Sequence, residues 1–132
     1  MQAIFVVVGA LLLIVLYLKF GRGPRELSAD EQKIAHKLKD QILNDVKNNK
    51  IVMYSKTLCP YCVMAKRLFS SLNQNVKVVE IDQSENKNIF QNALFQITKQ
   101  WTVPNIWING KFIGGNSHVQ ELHSAGKLLP LL

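Results

Sequence analysis

Residues 51–72 read IVMYSKTLCPYCVMAKRLFSSL, and this stretch decides the fold. Ile51 to Ser55 is short, apolar and partly β-branched, the pattern of a buried strand. Lys56 to Cys59 makes a loop. Pro60 suits the first turn of a helix, where its missing N–H is not needed. Cys62, Ala65, Leu68, Phe69 and Leu72 then recur at helical spacing. A strand and loop that pass through a C-x-x-C into a helix are the setting of a redox dithiol. Cys59 falls at the predicted N-cap, where free backbone N–H groups and the helix dipole stabilise a thiolate. Lys56 adds a nearby positive charge. Cys62 lies three residues inside the helix, on the same face and next to the core. Cys59 is therefore expected to be the exposed nucleophile and Cys62 the shielded resolving thiol.

Outward from this stretch, Val76 to Ile81 reads as a second strand. Ile89 to Ile97 reads as a helix, with Ile89, Phe90, Ala93, Leu94 and Ile97 as its apolar face. Ile106 to Ile108 runs into Asn109-Gly110, a strong hairpin signal, and Lys111 to Ile113 closes the hairpin. Gly114-Gly115 breaks that strand. A last helix is expected from about Ser117 to Ala125, with Gly126 at its end. On the N-terminal side, Ser28-x-x-Glu31 predicts a capping box. Ile34, Leu38, Ile42 and Val46 follow at spacing four, with Ala35 and Leu43 beside them, so a helix is expected to about Asn49. The order α-β-α-β-α-β-β-α predicts one α/β domain over 28–132.

The 132 residues include 16 Lys and Arg, 9 Asp and Glu and only 2 Cys, with 48% hydrophobic residues. That length allows one ordinary domain. Two cysteines exclude a disulfide scaffold and cannot alone supply four metal ligands. The net charge of +7 comes from scattered bases, which does not suit a nucleic-acid partner. Ala3 to Leu18 (AIFVVVGALLLIVLYL) carries no charge. With its flanking residues it reaches the lower limit of a membrane span, ~17 residues. A cleaved signal peptide is the alternative, but no basic residue precedes the run, and Pro24 would follow the only Gly-x-Gly. The expectation is an uncleaved transmembrane helix over 1–20 and a linker over 21–27. Lys19, Arg22 and Arg25 all follow the span, which places the domain in the cytosol. The mitochondrial outer membrane and the lumen of the secretory pathway are alternatives.

His118 and His123 invite a zinc reading of the cysteine pair. Five residues apart, they diverge by about 140° around a helix. Their distance from the cysteines also far exceeds the ~12–15 residues of a zinc finger, so no metal site is expected. Inert core cysteines are the bland reading, and an exposed Pro60-Tyr61 pair at a helix start goes against it. So does Thr102-Val103-Pro104 before the third strand. A cis bond there would keep Val103 out of sheet pairing and leave its backbone to accept an extended substrate.

Three motifs in this order carry a resemblance. They are Lys56-Thr57-x-Cys59-Pro60-Tyr61-Cys62, Thr102-Val103-Pro104-Asn105, and Ile108-Asn109-Gly110-Lys111-x-Ile113-Gly114-Gly115-Asn116-Ser117. Together they resemble the dithiol glutaredoxins over 28–132. The resemblance implies a thioredoxin-like fold, a four-stranded mixed sheet flanked by helices. It also implies glutathione as co-substrate, and glutathionylated or disulfide-bonded proteins as partners of a monomer. By the same resemblance, Lys56 and Gln100 would meet the glycine carboxylate of glutathione, and Tyr61 and Thr102 would line the groove. Val103, held by Pro104, would pair its backbone with the cysteinyl unit, and Gly115, Asn116 and Ser117 would receive the γ-glutamyl carboxylate. A helix N-terminus suits a carboxylate on physical grounds as well. Three positions depart from the pattern. His118 stands where an acid is frequent, Lys99 where a small residue is common, and Trp101 where the family often has a basic or polar one. Two sibling functions remain as alternatives: an iron–sulfur cluster-binding glutaredoxin tethered to a membrane, and a thioredoxin-like reductant of protein disulfides.

Overall fold

The computed structural model describes residues 7–15 and 23–132. Residues 7–15 are helical, and Val7, Leu11 and Ile14 are more than half exposed. The remainder of the expected Ala3–Leu18 span lies outside the described residues. Among the described residues no helix is long and apolar enough to cross a membrane.

Helix α1 (Ala29–Asn48) starts with the expected capping box. The Glu31 N–H donates to Ser28 Oγ at 3.4 Å, and the Ser28 N–H donates to Glu31 Oε2 at 2.9 Å. Arg25 also grips Glu31, with Nη1 3.0 Å from Oε2. These bonds hold the Glu31 carboxyl down to about 2, the Arg25 contact being the largest cause. Leu27, expected in a linker, is instead buried with Ala35 and Ile89. Ala35, Ile42 and Val46 form the buried face as the spacing predicted, with Leu38 half-buried against them. Leu43 departs from that expectation: one residue past Ile42 it is turned about 100° around the helix and faces water.

The central strand is β1 (Ile51–Ser55), buried throughout. It pairs in parallel with β2 (Lys77–Glu80) and antiparallel with β3 (Asn105–Ile108). The mixed sheet has the order β2-β1-β3-β4, with β4 (Lys111–Gly114) on the far edge. The period of two in β1 divides the core. Val52 and Tyr54 face α1 and α3 (Lys87–Thr98), where Ile42, Phe90 and Leu94 pack. Ile51 and Met53 face α2 (Pro60–Ser71) and α4 (Asn116–Ser124), where Phe69, Leu68 and Val119 pack. Each such large apolar side chain contributes roughly 1.5–3 kcal/mol when fully buried. Two layers of helices thus hold β1 rigid at its C-terminal end, where the cysteines follow.

The element order matches the expectation, with shifts at the ends. Ile81 leaves β2 and opens a 3-10 turn (Ile81–Gln83). Helix α3 begins two residues before Ile89, and α4 begins at Asn116. The β3–β4 turn places Asn109 at φ 49 and Gly110 at φ 77, the two left-handed residues that an Asn-Gly hairpin requires.

Tyr54 is fully buried, and among the described residues its hydroxyl has no hydrogen-bond partner. Burial raises its phenol well above the ordinary value, and the Asp45 carboxylate adds to the shift. An unpaired buried hydroxyl is a net cost, on the order of 1–3 kcal/mol. Tyr54→Phe, which keeps the ring against Phe90, is therefore expected to leave the urea midpoint unchanged or raise it. A clear drop in that midpoint would reveal a partner for the hydroxyl.

Candidate active site

Cys59 caps α2 as expected. Its Sγ accepts the Cys62 N–H at 3.3 Å, and Pro60 follows at the first helical position. This N–H would otherwise lack an acceptor, and a sulfur bearing negative charge is well suited to take it. Cys59 is partly exposed, and its Sγ lies 3.7 Å from Val103 O. The Val103–Pro104 peptide is cis, the form under which the sequence reading gave Val103 a backbone free for substrate. Cys62 is fully buried. Burial, and next the hydrogen bond with Cys59, push its thiol up to about 11. At neutral pH Cys62 is therefore a protonated thiol, which cannot begin an exchange.

This difference sets a pH order for modification. Iodoacetamide at neutral pH is expected to alkylate Cys59 and to spare Cys62 until the pH nears 11, read by peptide mass spectrometry. Equal labelling of both at neutral pH would overturn the shielded-thiol reading. The same shift has a stability sign. The neutral thiol is favoured by the fold, so its contribution is complete below pH 9 and is lost as pH rises toward 11.

A groove of about 430 Å³ runs beside the dithiol. Tyr61, 63% exposed, forms one wall, and Thr102, Val103 and Pro104 form the floor. Gly115, Asn116 and Ser117 close the far end at the start of α4. The N-cap of α4 is Gly115, which has no side chain to satisfy the N–H groups of the first turn. Gln100 also lines the groove, but its Nε2 donates to Thr102 O and Pro104 O, both at 3.0 Å. It braces the floor.

Lys56 is in a different place. Its Nζ donates to Gln91 Oε1 at 3.0 Å, in a neighbouring notch that Lys87 and Asn88 share. Lys56 and Gln100, which the sequence reading put on one carboxylate, line separate cavities. Gln91 Nε2 in turn donates to Trp101 O at 2.7 Å, which ties the Lys56 notch to the chain that precedes the groove floor. Asp82 accepts the Thr57 N–H and hydroxyl, which holds its carboxyl below the usual range and fixes the loop ahead of Cys59.

Gln91, Asp82 and the contact of His118 were not evident in the sequence. Gln91 and Asp82 come from α3 and the 3-10 turn, far from the cysteines in the chain, and neither belongs to a motif. His118 lines the groove, and its Nδ1 accepts the Gly115 N–H at 2.9 Å. Trp101 is half-buried and packs edge-on against Phe95 at 6.0 Å, while Lys99 Nζ lies 5.8 Å from the centre of that ring. Among the described residues, no three His, Cys, Asp or Glu side chains gather as a metal site.

The geometry agrees with comparisons to known proteins. The glutaredoxin family profile matches residues 51–113. The human protein named mitochondrial glutaredoxin-2 is 50% identical over 93 residues, which are 70% of this chain and 57% of that protein. A glutaredoxin of Vernicia fordii is 46% identical over 87 residues, covering 66% of this chain and 84% of that one. The chain thus spans less than two thirds of the human relative's length but most of the plant one's. Among solved structures, a buckwheat glutaredoxin–glutathione complex superposes with a TM-score of 0.74 at 40% identity, over 80% of this chain and 94% of that chain. With the dithiol at a helix start, the thioredoxin-like sheet and these likenesses together, the chain belongs to the glutaredoxin family.

Proposed function

We propose that the protein is a glutathione-dependent thiol–disulfide oxidoreductase acting on protein–glutathione mixed disulfides. The observation that carries this is the placement of Cys59 Sγ at the α2 N-cap, 3.7 Å from Val103 O on the groove floor. The Cys59 thiolate attacks the glutathione sulfur of the mixed disulfide. The substrate sulfur leaves as a thiolate and takes a proton, and Cys59 is left glutathionylated. A second glutathione thiolate attacks the glutathione sulfur of that adduct, giving oxidised glutathione and free Cys59. With disulfide substrates Cys62 attacks Cys59 instead, closing an intramolecular disulfide that two glutathiones reopen. Potentials of roughly −200 to −230 mV, usual for glutaredoxins, let either direction run against the glutathione pool.

Glutathione is placed across both cavities. Its γ-glutamyl carboxylate meets the N–H groups of Asn116 and Ser117 at the start of α4, beside Gly115, whose own N–H is taken by His118. The cysteinyl unit lies along Val103 and Pro104, beside Thr102 and Tyr61. Lys56 takes the glycine carboxylate, with Gln91 rather than Gln100 as its neighbour, because Lys56 Nζ already reaches Gln91. The test is glutathione-dependent reduction of a glutathionylated peptide by the purified protein. Turnover is expected, and a protein that accepts electrons from a flavoprotein reductase but not from glutathione would refute the reading.

The apolar run Ala3–Leu18 is proposed as a membrane tether. Its support is the uncharged sequence and the broad exposure of Val7, Val8, Leu11 and Leu12 on the described helical residues. The bases Lys19, Arg22 and Arg25 after it favour a domain facing the cytosol. Human and mouse relatives are named mitochondrial, which makes a mitochondrial membrane the setting we favour. Release of the protein by alkaline carbonate would sink the tether.

A further inference from the structure

The groove residues carry an unusual charge balance for a ligand with a zwitterionic end. A γ-glutamyl group ends in one carboxylate and one ammonium. The carboxylate has the uncapped first turn of α4 to meet it. The ammonium finds neutral acceptors but no charge partner: Tyr61, Gln100, Thr102, Asn116, Ser117 and His118 line the groove, and among the described residues no aspartate or glutamate does. Glu121, the acid on α4, is exposed one turn further on and outside the groove.

His118 lines the groove beside Asn116 and Ser117, in the first turn of α4. Its Nδ1 accepts the Gly115 N–H at 2.9 Å. The exposed ring also lies over the Gly114 backbone. A Cβ on Gly114 would come within 2.4 Å of Nδ1, so backbone and imidazole are in close contact. An imidazole is neutral or cationic and never a carboxylate, so His118 brings no negative charge to the groove it lines.

We propose that His118 is a specificity-determining residue that makes the groove read only the carboxylate of the γ-glutamyl end. The substrate class then extends to thiol peptides that lack the α-ammonium, such as glutaryl-cysteinyl-glycine. This inference rests on the glutathione-dependent activity proposed above. Discrimination by affinity is a difference between ligands, and a missing carboxylate removes the difference that an ammonium would create.

The experiment measures kcat and KM of the full chain with glutathione and with glutaryl-cysteinyl-glycine as reductant. Wild type and His118→Gln are compared with His118→Asp. Wild type and His118→Gln are expected to treat the two thiols alike, with kcat/KM within about threefold. His118→Asp can still accept the Gly115 N–H, and it adds the charge that an ammonium seeks. It is expected to shift the ratio toward glutathione about tenfold, through KM rather than kcat. A wild type that prefers glutathione tenfold or more would overturn the inference, as would a ratio that His118→Asp leaves unmoved. Wild type inactive with both thiols would overturn the proposed activity itself, and this inference with it.

Discussion

Cys59→Ser is expected to lower glutathione-dependent turnover by about a thousandfold or more, roughly 4 kcal/mol of barrier at 1.36 kcal/mol per decade. Cys62→Ser is expected to stay active on glutathionylated peptides. The reason lies in how α2 treats its two sulfurs. Cys59 is partly open to solvent, and its Sγ accepts the Cys62 N–H and faces Val103 O. A serine hydroxyl can take the same cap bond, so the helix survives, but it does not ionise at neutral pH and is no partner in disulfide exchange. Cys62 is sealed in the core and is a protonated thiol up to about pH 11. It acts only on an adduct already formed on Cys59. Cys62→Ser should therefore lose the reduction of intramolecular disulfides and keep deglutathionylation. If Cys59→Ser retained more than about a tenth of wild-type turnover, the assignment of the nucleophile would be wrong.

Gly114→Ala is expected to have the largest effect of any single methyl group. Gly114 sits at φ +129, a region that side chains rarely adopt. Its new Cβ would lie 2.4 Å from His118 Nδ1, 2.7 Å from Cγ and 2.9 Å from Cε1. The imidazole can rotate away only by abandoning the Gly115 N–H. Backbone strain of about 1–3 kcal/mol and a lost hydrogen bond of about 1 kcal/mol add to roughly 2–4 kcal/mol. For a domain of this size the melting temperature should fall by roughly 10–20 °C. The displaced ring also enters the groove, so KM for glutathione should rise. Gly114→Ala with His118→Ala removes the clash and leaves the strained φ. The pair should therefore melt above the sum of its single losses, a coupling expected of residues in contact. Strict additivity would show that the clash is absent in solution.

Much of this follows from local rules that operate over a few residues. Ser28 and Glu31 find one another because they lie one helical turn apart. Asn109 and Gly110 turn the chain because they tolerate positive φ. Pro60 and Cys59 start α2 because a helix start has spare N–H groups. The alternation in β1 separates Val52 and Tyr54 from Ile51 and Met53. Short-range geometry of this kind reads directly from residue order, and the dithiol belongs to it.

The groove and its neighbours needed the third dimension. Lys56 meets Gln91 across 35 residues, and Thr57 meets Asp82 across 25. No periodicity marks such partners, because the packing of α3 and the 3-10 turn against β1 alone brings them together. Leu27 looked like linker because its burial depends on Ala35 and on Ile89, which lies far along the chain. The contact of His118 with the Gly115 N–H was not legible because it depends on the backbone path of Gly114 and Gly115. Residue order sets the repeating elements and the reactive pair, since those depend on bonds within one or two turns. Charge balance and shape at the ligand site come from folding, which places side chains from distant segments within a few ångströms.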